Sequence, residues 1–280
     1  MNEGQLEQTF GKPYAELVRL ADQHTLAVQA WLSSRSPHAV QVEGKGIKLS
    51  STGLQVPLLN LALGCNFPSH ATPDEISEEI EWVKAFFTKR GVPWLWWVGP
   101  HAAPANLTTH LASKGISPKP RKLPAMIAPA DSHMRITASQ NNTQVWRAKT
   151  EADLQAASTI RRKAFRFPPG TALHYFEDMK EDWLLDTSPA RLYLAGKQNG
   201  SPAAIGAVIE GAGLPGIYIM ATLPDYMRQG LGKAILAHLL QQIDGRIHNL
   251  VVLTASPYGF PLYAQFGFHY LFDYSIYALV

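Results

Sequence analysis

Cysteine is nearly missing: Cys65 is the one copy in 280 residues, so no internal disulfide can staple the chain. A reducing, cytoplasmic setting is expected. Long apolar runs are missing too. The most aromatic stretch, Trp94 to Val98, falls far short of the ~18 residues needed to span a bilayer, so no membrane partner is expected. The opening MNEGQLEQTFGK has no apolar core of a secretory leader. Charge excess is small, 25 basic against 22 acidic side chains for a net +3, and no long basic run occurs. No nucleic-acid partner is therefore expected. Neither His-Glu-x-x-His nor paired Cys-x-x-Cys is present, and no metal is expected. Charged residues make up only 17% against 46% apolar and 10% aromatic, which excludes a disordered chain, a coiled coil or a collagen-like repeat. What remains is a globular chain of about two domains, or one large one.

Apolar residues at mixed three and four spacing (Leu17, Leu20, Ala21, His24, Val28, Trp31, Leu32) predict one amphipathic helix over 14–32. A polar stretch then leads to a predicted strand from Val56 to Leu63. Thr72-Pro73-Asp74-Glu75 combines an N-cap threonine, a first-turn proline and a capping-box glutamate, so a helix starts there and runs to Arg90, where Gly91 stops it. Pro93 to Val98 reads as a buried strand, Pro104 to Ser113 as a short helix and Leu123 to Ala128 as a strand. The polar residues 129–143 read as a linker.

The second half predicts a strand at 145–148, helices at 151–165 and 174–185, a strand at 191–196 and the turn Gln198-Asn199-Gly200. A hairpin partner at 203–210, a strand at 217–223, a helix at 230–243, a strand at 250–255, a short helix at 260–266 and an aromatic strand or strand pair from Phe268 to Val280 follow. Strand 56–63 matches strand 217–223 in element order, and strand 93–98 matches strand 250–255. A degenerate internal repeat is expected, dividing the chain at 1–140 and 144–280.

Chemistry concentrates at Thr222-Leu-Pro-Asp-Tyr-Met-Arg-Gln-Gly-Leu-Gly-Lys-Ala-Ile-Leu, where a strand runs through a glycine loop into an amphipathic helix. A helix start leaves N–H groups without partners and gathers about half a positive charge, which suits phosphate. Gly230 and Gly232 bring no side chain to block it, while Arg228 and Lys233 add full charges. Two better-known loops fail here. A P-loop needs a glycine where Met227 stands and a hydroxyl where Ala234 stands. The dinucleotide fingerprint needs a small residue at Ile235. A bare Gly-x-Gly also opens helices for packing reasons alone.

Read in order (strand, Pro224, Arg228, Gly230-Leu231-Gly232, helix, strand, Leu262-Tyr263, Gly267-Phe268, strand), residues 144–280 resemble the GCN5-related N-acetyltransferase (GNAT) family. The family's pyrophosphate loop, Gln/Arg-x-x-Gly-x-Gly/Ala, maps onto Met227 to Gly232 with Met227 replacing the leading polar residue, which implies weakened CoA binding. The resemblance implies an α/β (α+β mixed sheet) chain with the acyl-CoA N-acyltransferase (GNAT) fold, in two tandem GNAT-like domains. It implies acetyl-CoA as co-substrate, held by Arg228, Gln229, Gly230, Leu231, Gly232 and Lys233. Backbone groups of Met220, Ala221 and Thr222 would meet the pantetheine arm where that strand splays from strand 250–255. Tyr263 falls where relatives place a general acid, and a core tyrosine is the other reading of it. No base is inherited, because Leu250 to Leu253 are apolar. Glu210 and Asp225 are candidates that read equally as solvated turn carboxylates, water is another, and His174 reads as a surface histidine.

The first half has no Gly-x-Gly between Gly64 and Glu75, and Asp74, Glu75, Glu78 and Glu79 would repel pyrophosphate. A degenerate GNAT-like domain is expected there. Trp94, Trp96 and Trp97 read as core, and Cys65 as a buried small hydrophobe. The expected function is acetyl transfer to the amine of a small-molecule or peptide acceptor, by a monomer or homodimer. The alternative is a CoA-binding regulatory or scaffold protein without turnover.

Overall fold

The computed structural model describes residues 1–130, 142–167, 176–197, 200–245 and 248–279. Helix α1 (Glu3–Phe10) is closed by an Asn2–Gln5 capping box and by Gly11. Helix α2 (Tyr14–Ser34) realises the predicted amphipathic stretch and extends it by two residues. The polar stretch after it holds two strands, β1 (Val40–Glu43) and β2 (Lys48–Ser51). Their exposure alternates or fades, so composition hides them. Pro57 turns the start of the predicted Val56–Leu63 strand into a single helical turn, and only β3 (Asn60–Leu63) is extended. Helix α3 (Pro73–Arg90) has the predicted cap at Thr72 and ends at Gly91, φ +62°. Then come β4 (Leu95–Val98), α4 (Leu107–Ser113), β5 (Ile116–Pro118) and β6 (Leu123–Pro129).

The second half continues with β7 (Thr143–Arg147), α5 (Glu151–Phe165) and α6 (Lys180–Leu184). The helix expected over 174–185 is thus shorter, its first two residues lying outside the described residues. Strands β8 (Ala190–Lys197), β9 (Ala204–Gly211) and β10 (Leu214–Thr222) precede α7 (Leu231–Gln241), β11 (Leu250–Thr254), α8 (Phe260–Gln265) and a single final strand β12 (His269–Leu279). The 198–200 turn, the 129–143 linker and Val280 fall wholly or partly outside the described residues.

The chain divides into two compact units that are not contiguous in sequence. One, the loop unit, contains residues Met1–Val28 and Ala125–Leu271; the other, the capped unit, contains Gln29–Pro124 and Phe272–Val280. Each sheet has the same plan. In the loop unit β7, β8, β9 and β10 form an antiparallel meander, β10 pairs parallel with β11, and β6 closes the edge antiparallel to β11. In the capped unit β1, β2 and β3 form the meander, β3 pairs parallel with β4, and β12 lies antiparallel to β4 and β5. A parallel pair needs a crossover connection; α7 and α3 supply it. The closing strand of each unit comes from the other half of the sequence, which is why the 1–140 and 144–280 division does not coincide with the units.

Helix α7 buries Leu231, Ile235, Leu236, Leu239 and Leu240 against a core with Ile217, Val251 and Leu253. At roughly 1.5–3 kcal/mol for each buried aliphatic side chain, that face fixes the helix start on the sheet. In the capped unit Ile76, Ile80, Val83 and Phe87 of α3 pack with Trp94 and Trp96. The Cys65 thiol is buried there too, taking a hydrogen bond from Trp96 Nε1 at 2.6 Å. No helix among the described residues is long and apolar enough to cross a membrane.

Candidate active site

Strand β10 changes course at Ile219, which has φ +56° and sits where the β9–β10 register shifts between Tyr218 and Ala221. Its parallel ladder with β11 consists of Gly216↔Val252 and Ile217↔Leu253, whereas Ala221 and Thr222 pair only with Ile205 and Ala204 of β9. Met220, Ala221 and Thr222 therefore run on past the end of the β11 ladder, half buried. The Met220 side chain is committed to the core. A Cβ on Gly206 would stand 2.5 Å from its Sδ and 2.6 Å from Ile235 Cγ2, so the bare glycine makes room for both. Only backbone groups of Met220 are left to offer.

After Thr222 a single turn at Pro224–Tyr226 leads to the loop. Arg228 and Gly230 both have positive φ, +56° and +89°, which costs a glycine nothing and strains the arginine. Gln229 folds back, its Nε2 donating to Asp225 O at 2.8 Å. Met227, at 55% exposure, points to solvent and fills no part of the loop. The first helical bond of α7 runs from Ala234 N to Gly230 O at 2.9 Å, so the N–H groups of Leu231, Gly232 and Lys233 have no carbonyl one turn back. Gly230 caps the helix without a side chain to cover them. Beside them a Cβ on Gly232 would meet Thr222 Oγ1 and Leu262 Cδ2 at 3.7 Å, ordinary contact. Internal packing does not demand a glycine at 232. Arg228 and Lys233 are exposed and make no ion pair among the described residues. Three N–H groups, a helix dipole and two free cations form a receptor for a multiply charged anion.

Tyr263 stands one turn into α8, directly after β11. Its ring is 8% exposed, lies edge-on to Phe268 at 6.0 Å and leans on the turn at Gly259, where a Cβ would come within 2.8 Å of Cε2. Burial pushes its phenol well above the ordinary tyrosine value, so it holds its proton throughout the neutral range. The hydroxyl has no hydrogen-bond partner among the described residues. The phenol is thus in the protonated form that a donor needs, and the same burial makes it a weaker acid than an exposed tyrosine.

The candidate bases are not assembled around it. Glu210 is paired with Arg191 at 3.2 Å and lies opposite Pro215, at the far end of β10 from Thr222. Asp225 is exposed in the turn before the loop. His174 lies outside the described residues.

The corresponding helix start in the capped unit is built differently. Thr72 Oγ1 accepts from Glu75 N at 3.2 Å, and Glu75 Oε2 accepts from Thr72 N at 2.8 Å. Those hydrogen bonds hold the Glu75 carboxyl below the usual carboxylate range. The β1–β2 turn packs beside this helix, where Lys45 N donates to Glu79 Oε1 at 2.6 Å, and Asn66 N donates to Gly46 O at 2.8 Å. A Cβ on Gly46 would come within 2.3 Å of Asn66 O, so only glycine permits that approach.

Residues 171–275 match the family model described as acetyltransferase (GNAT) domain. No curated protein matches the sequence. Among solved structures, a GCN5-related N-acetyltransferase from Kribbella flavida aligns at TM-score 0.67 and 17% identity, covering 93% of this chain and 94% of its own. A tandem GNAT protein from the clavulanic acid biosynthesis pathway aligns at TM-score 0.58 and 13% identity, with coverage of 97% and 94%. A GCN5-related N-acetyltransferase from Sphaerobacter thermophilus aligns at 0.59 and 14%, covering 95% and 93%. At such identities these likenesses establish the fold.

Proposed function

We propose that the protein transfers an acetyl group from acetyl-CoA to an amine by direct attack; the match of residues 171–275 to the acetyltransferase (GNAT) domain model and the GNAT fold of the chain support this reading. The observation that carries the reading is the bare start of α7, where Leu231, Gly232 and Lys233 present N–H groups beside Arg228 and Gly230. The CoA pyrophosphate would bind there. The pantetheine arm would follow the backbone of Met220, Ala221 and Thr222, past the end of the β10–β11 ladder, bringing the thioester toward Tyr263. Gln229 is tied to Asp225 O, so its backbone and not its amide would face the ligand.

In the transfer, the amine nitrogen bonds to the acetyl carbon and the carbon–sulfur bond breaks. The departing sulfur, with a thiol pKa of about 8.5, takes the Tyr263 proton; the nitrogen loses one to water, and water restores the phenol. Proton donation of this kind contributes roughly 10²-fold or more. The 1–140 segment is proposed as a degenerate GNAT-like domain without its own CoA site, and the acceptor as a small-molecule or peptide amine. We place the activity in the cytoplasm.

Calorimetric titration with acetyl-CoA, CoA and ATP tests the reading. Micromolar acetyl-CoA binding with weak ATP binding supports it. No heat at millimolar acetyl-CoA overturns it. CoA binding without thiol release in the presence of any amine would favour the second reading, a CoA-binding regulatory protein, for which Met227 and the missing inherited base speak.

A further inference from the structure

Each unit breaks its central strand at the same place. In the loop unit the parallel ladder of β10 with β11 ends at Ile217↔Leu253, and Ile219, two residues on, has φ +56°. In the capped unit the ladder of β3 with β4 ends at Ala62↔Trp96, and Gly64, two residues on, has φ +79°. The bulges match in size as well. Tyr218 faces Ala207 and Ala221 faces Ile205, a step of three residues against two. Leu63 faces Lys48 and Asn66 N donates to Gly46 O, again three against two. One extra residue turns the strand out of its ladder in both units.

What the turned strand then meets is different. Leu223 N donates to Ala203 O at 2.8 Å and Ala221 is opposite Ile205, so these two residues face β9, while Met220 O and Thr222 N–H point the other way, into the gap beside β11. By the same alternation Cys65 O and Phe67 N–H point into the gap beside β4. That gap is filled. Ala103 N donates to Cys65 O at 2.9 Å and Phe67 N donates to Ala103 O at 3.3 Å, the two bonds of a parallel bridge between Asn66 and Ala103. The filling comes from an insertion. Three residues past the last ladder pair both chains make a tight turn, closed by Gly259 N to Ser256 O at 3.0 Å in one unit and by Ala102 N to Gly99 O at 3.3 Å in the other. Helix α8 starts at the very next residue, Phe260, whereas α4 waits until Leu107, so Ala103 to Asn106 are extra.

Resting on the transferase reading, in which a pantetheine arm lies along Met220 and Thr222, we propose that Ala103 is the capped unit's built-in replacement for that arm. The arm carries amide N–H and C=O groups on a flexible chain, and Ala103 presents the same pair to Cys65 O and Phe67 N. A segment tethered at both ends docks without the loss of freedom that a separate ligand suffers, so a dissolved arm does not displace it. The capped unit is therefore shut twice, at α3 by its cap and its acids and at the strand gap by Ala103 to Asn106. The two barriers are separable. Removing the insertion should admit uncharged pantetheine, which does not meet the acids, and still exclude CoA.

The test follows backbone amide exchange by NMR in the ¹⁵N-labelled full chain. Without ligand, the Phe67 and Ala103 amides should exchange at least about tenfold more slowly than that of Thr222. Saturating acetyl-CoA should protect Thr222 and leave Phe67 and Ala103 as they were. With acetyl-CoA kept saturating, millimolar pantetheine should leave the Phe67 amide signal unmoved in the wild type and shift it in a variant lacking Ala103 to Asn106. Should that deletion not fold, Ala103→Pro, which removes the N–H given to Cys65 O, takes its place; if neither folds, the wild-type exchange decides alone. A Phe67 amide that exchanges as fast as Thr222 in the free protein, or that pantetheine shifts in the wild type, overturns the proposal, and so does one that stays unmoved in a folded opened variant. A Thr222 amide indifferent to acetyl-CoA would instead sink the transferase reading, and this inference with it.

Discussion

Two helix starts of the same plan, α3 and α7, end their respective parallel crossovers in opposite chemical states. At α3 Pro73 has no N–H to offer, Thr72 takes the Glu75 N–H while Glu75 takes the Thr72 N–H, acids crowd the first turns, and the Gly44–Gly46 turn is tied to Glu79 in the second turn. At α7 the cap is a glycine, the next three N–H groups are open, and the nearby charges are positive. Both solutions satisfy the physics of a helix terminus. One spends the terminus on stability, and the other leaves it for an anion. The difference lies in a handful of residues, so it can be broken one residue at a time.

The largest effect is expected from Gly232→Glu. A side chain there meets only ordinary contacts at Thr222 and Leu262, so the fold should survive, while a carboxylate would stand in the place of phosphate. Acetyl-CoA affinity by calorimetry should fall more than about 100-fold, or 2.7 kcal/mol. Wild-type affinity in a folded variant would show that α7 does not bind the pyrophosphate. Tyr263→Phe should lower turnover roughly 10²-fold with acetyl-CoA affinity unchanged; its hydroxyl has no partner to lose, so the melting temperature should hardly move. Equal turnover removes Tyr263 from the mechanism. Arg228→Ala should cost about 1 kcal/mol of binding, near fivefold, and flatten the salt dependence of acetyl-CoA affinity.

The sequence shows the α7 start and the α3 cap directly, because both are local: Gly-x-Gly before an apolar face, and Thr-Pro-Asp-Glu before another. Helices α3 and α5 and the β8–β9 hairpin are local in the same sense. Strands β1 and β2 are not, since their alternating or small polar residues (Val40, Gln41, Ser50, Ser51) carry no apolar run. The exchange of β6 and β12 between units is invisible to any pattern, because a strand's sequence records its two faces and not its neighbours. His24 illustrates the same limit. Its spacing puts it on the apolar face of α2, but only the fold brings Gly211, Gly216 and Tyr218 against it. Met227 is the converse case: the departure from the family loop is plain in the sequence, and the structure shows the side chain turned to solvent with Arg228 and the glycines still in place.

The smallest effect sharpens the comparison from the α3 side. Thr72→Ala removes a hydroxyl that accepts from Glu75 N and should cost about 1 kcal/mol of stability, measured by urea denaturation, with acetyl-CoA affinity unchanged. Glu75 adds a pH signature. Its carboxyl is held below the ordinary 4.5 by the Thr72 N–H and hydroxyl. A depressed carboxylate contributes stability that is complete above the unfolded value and is lost as pH falls through the folded one. Wild-type protein should therefore lose stability more steeply below about pH 4.5 than Glu75→Gln, whose cap keeps its hydrogen bond and cannot titrate. Opening this terminus by Thr72→Ala should not create a CoA site, because Asp74, Glu75, Glu78 and Glu79 still repel pyrophosphate there. If Thr72→Ala did gain acetyl-CoA binding, capping alone would separate the two helix starts, and the acidic first turns of α3 would have no part in the difference.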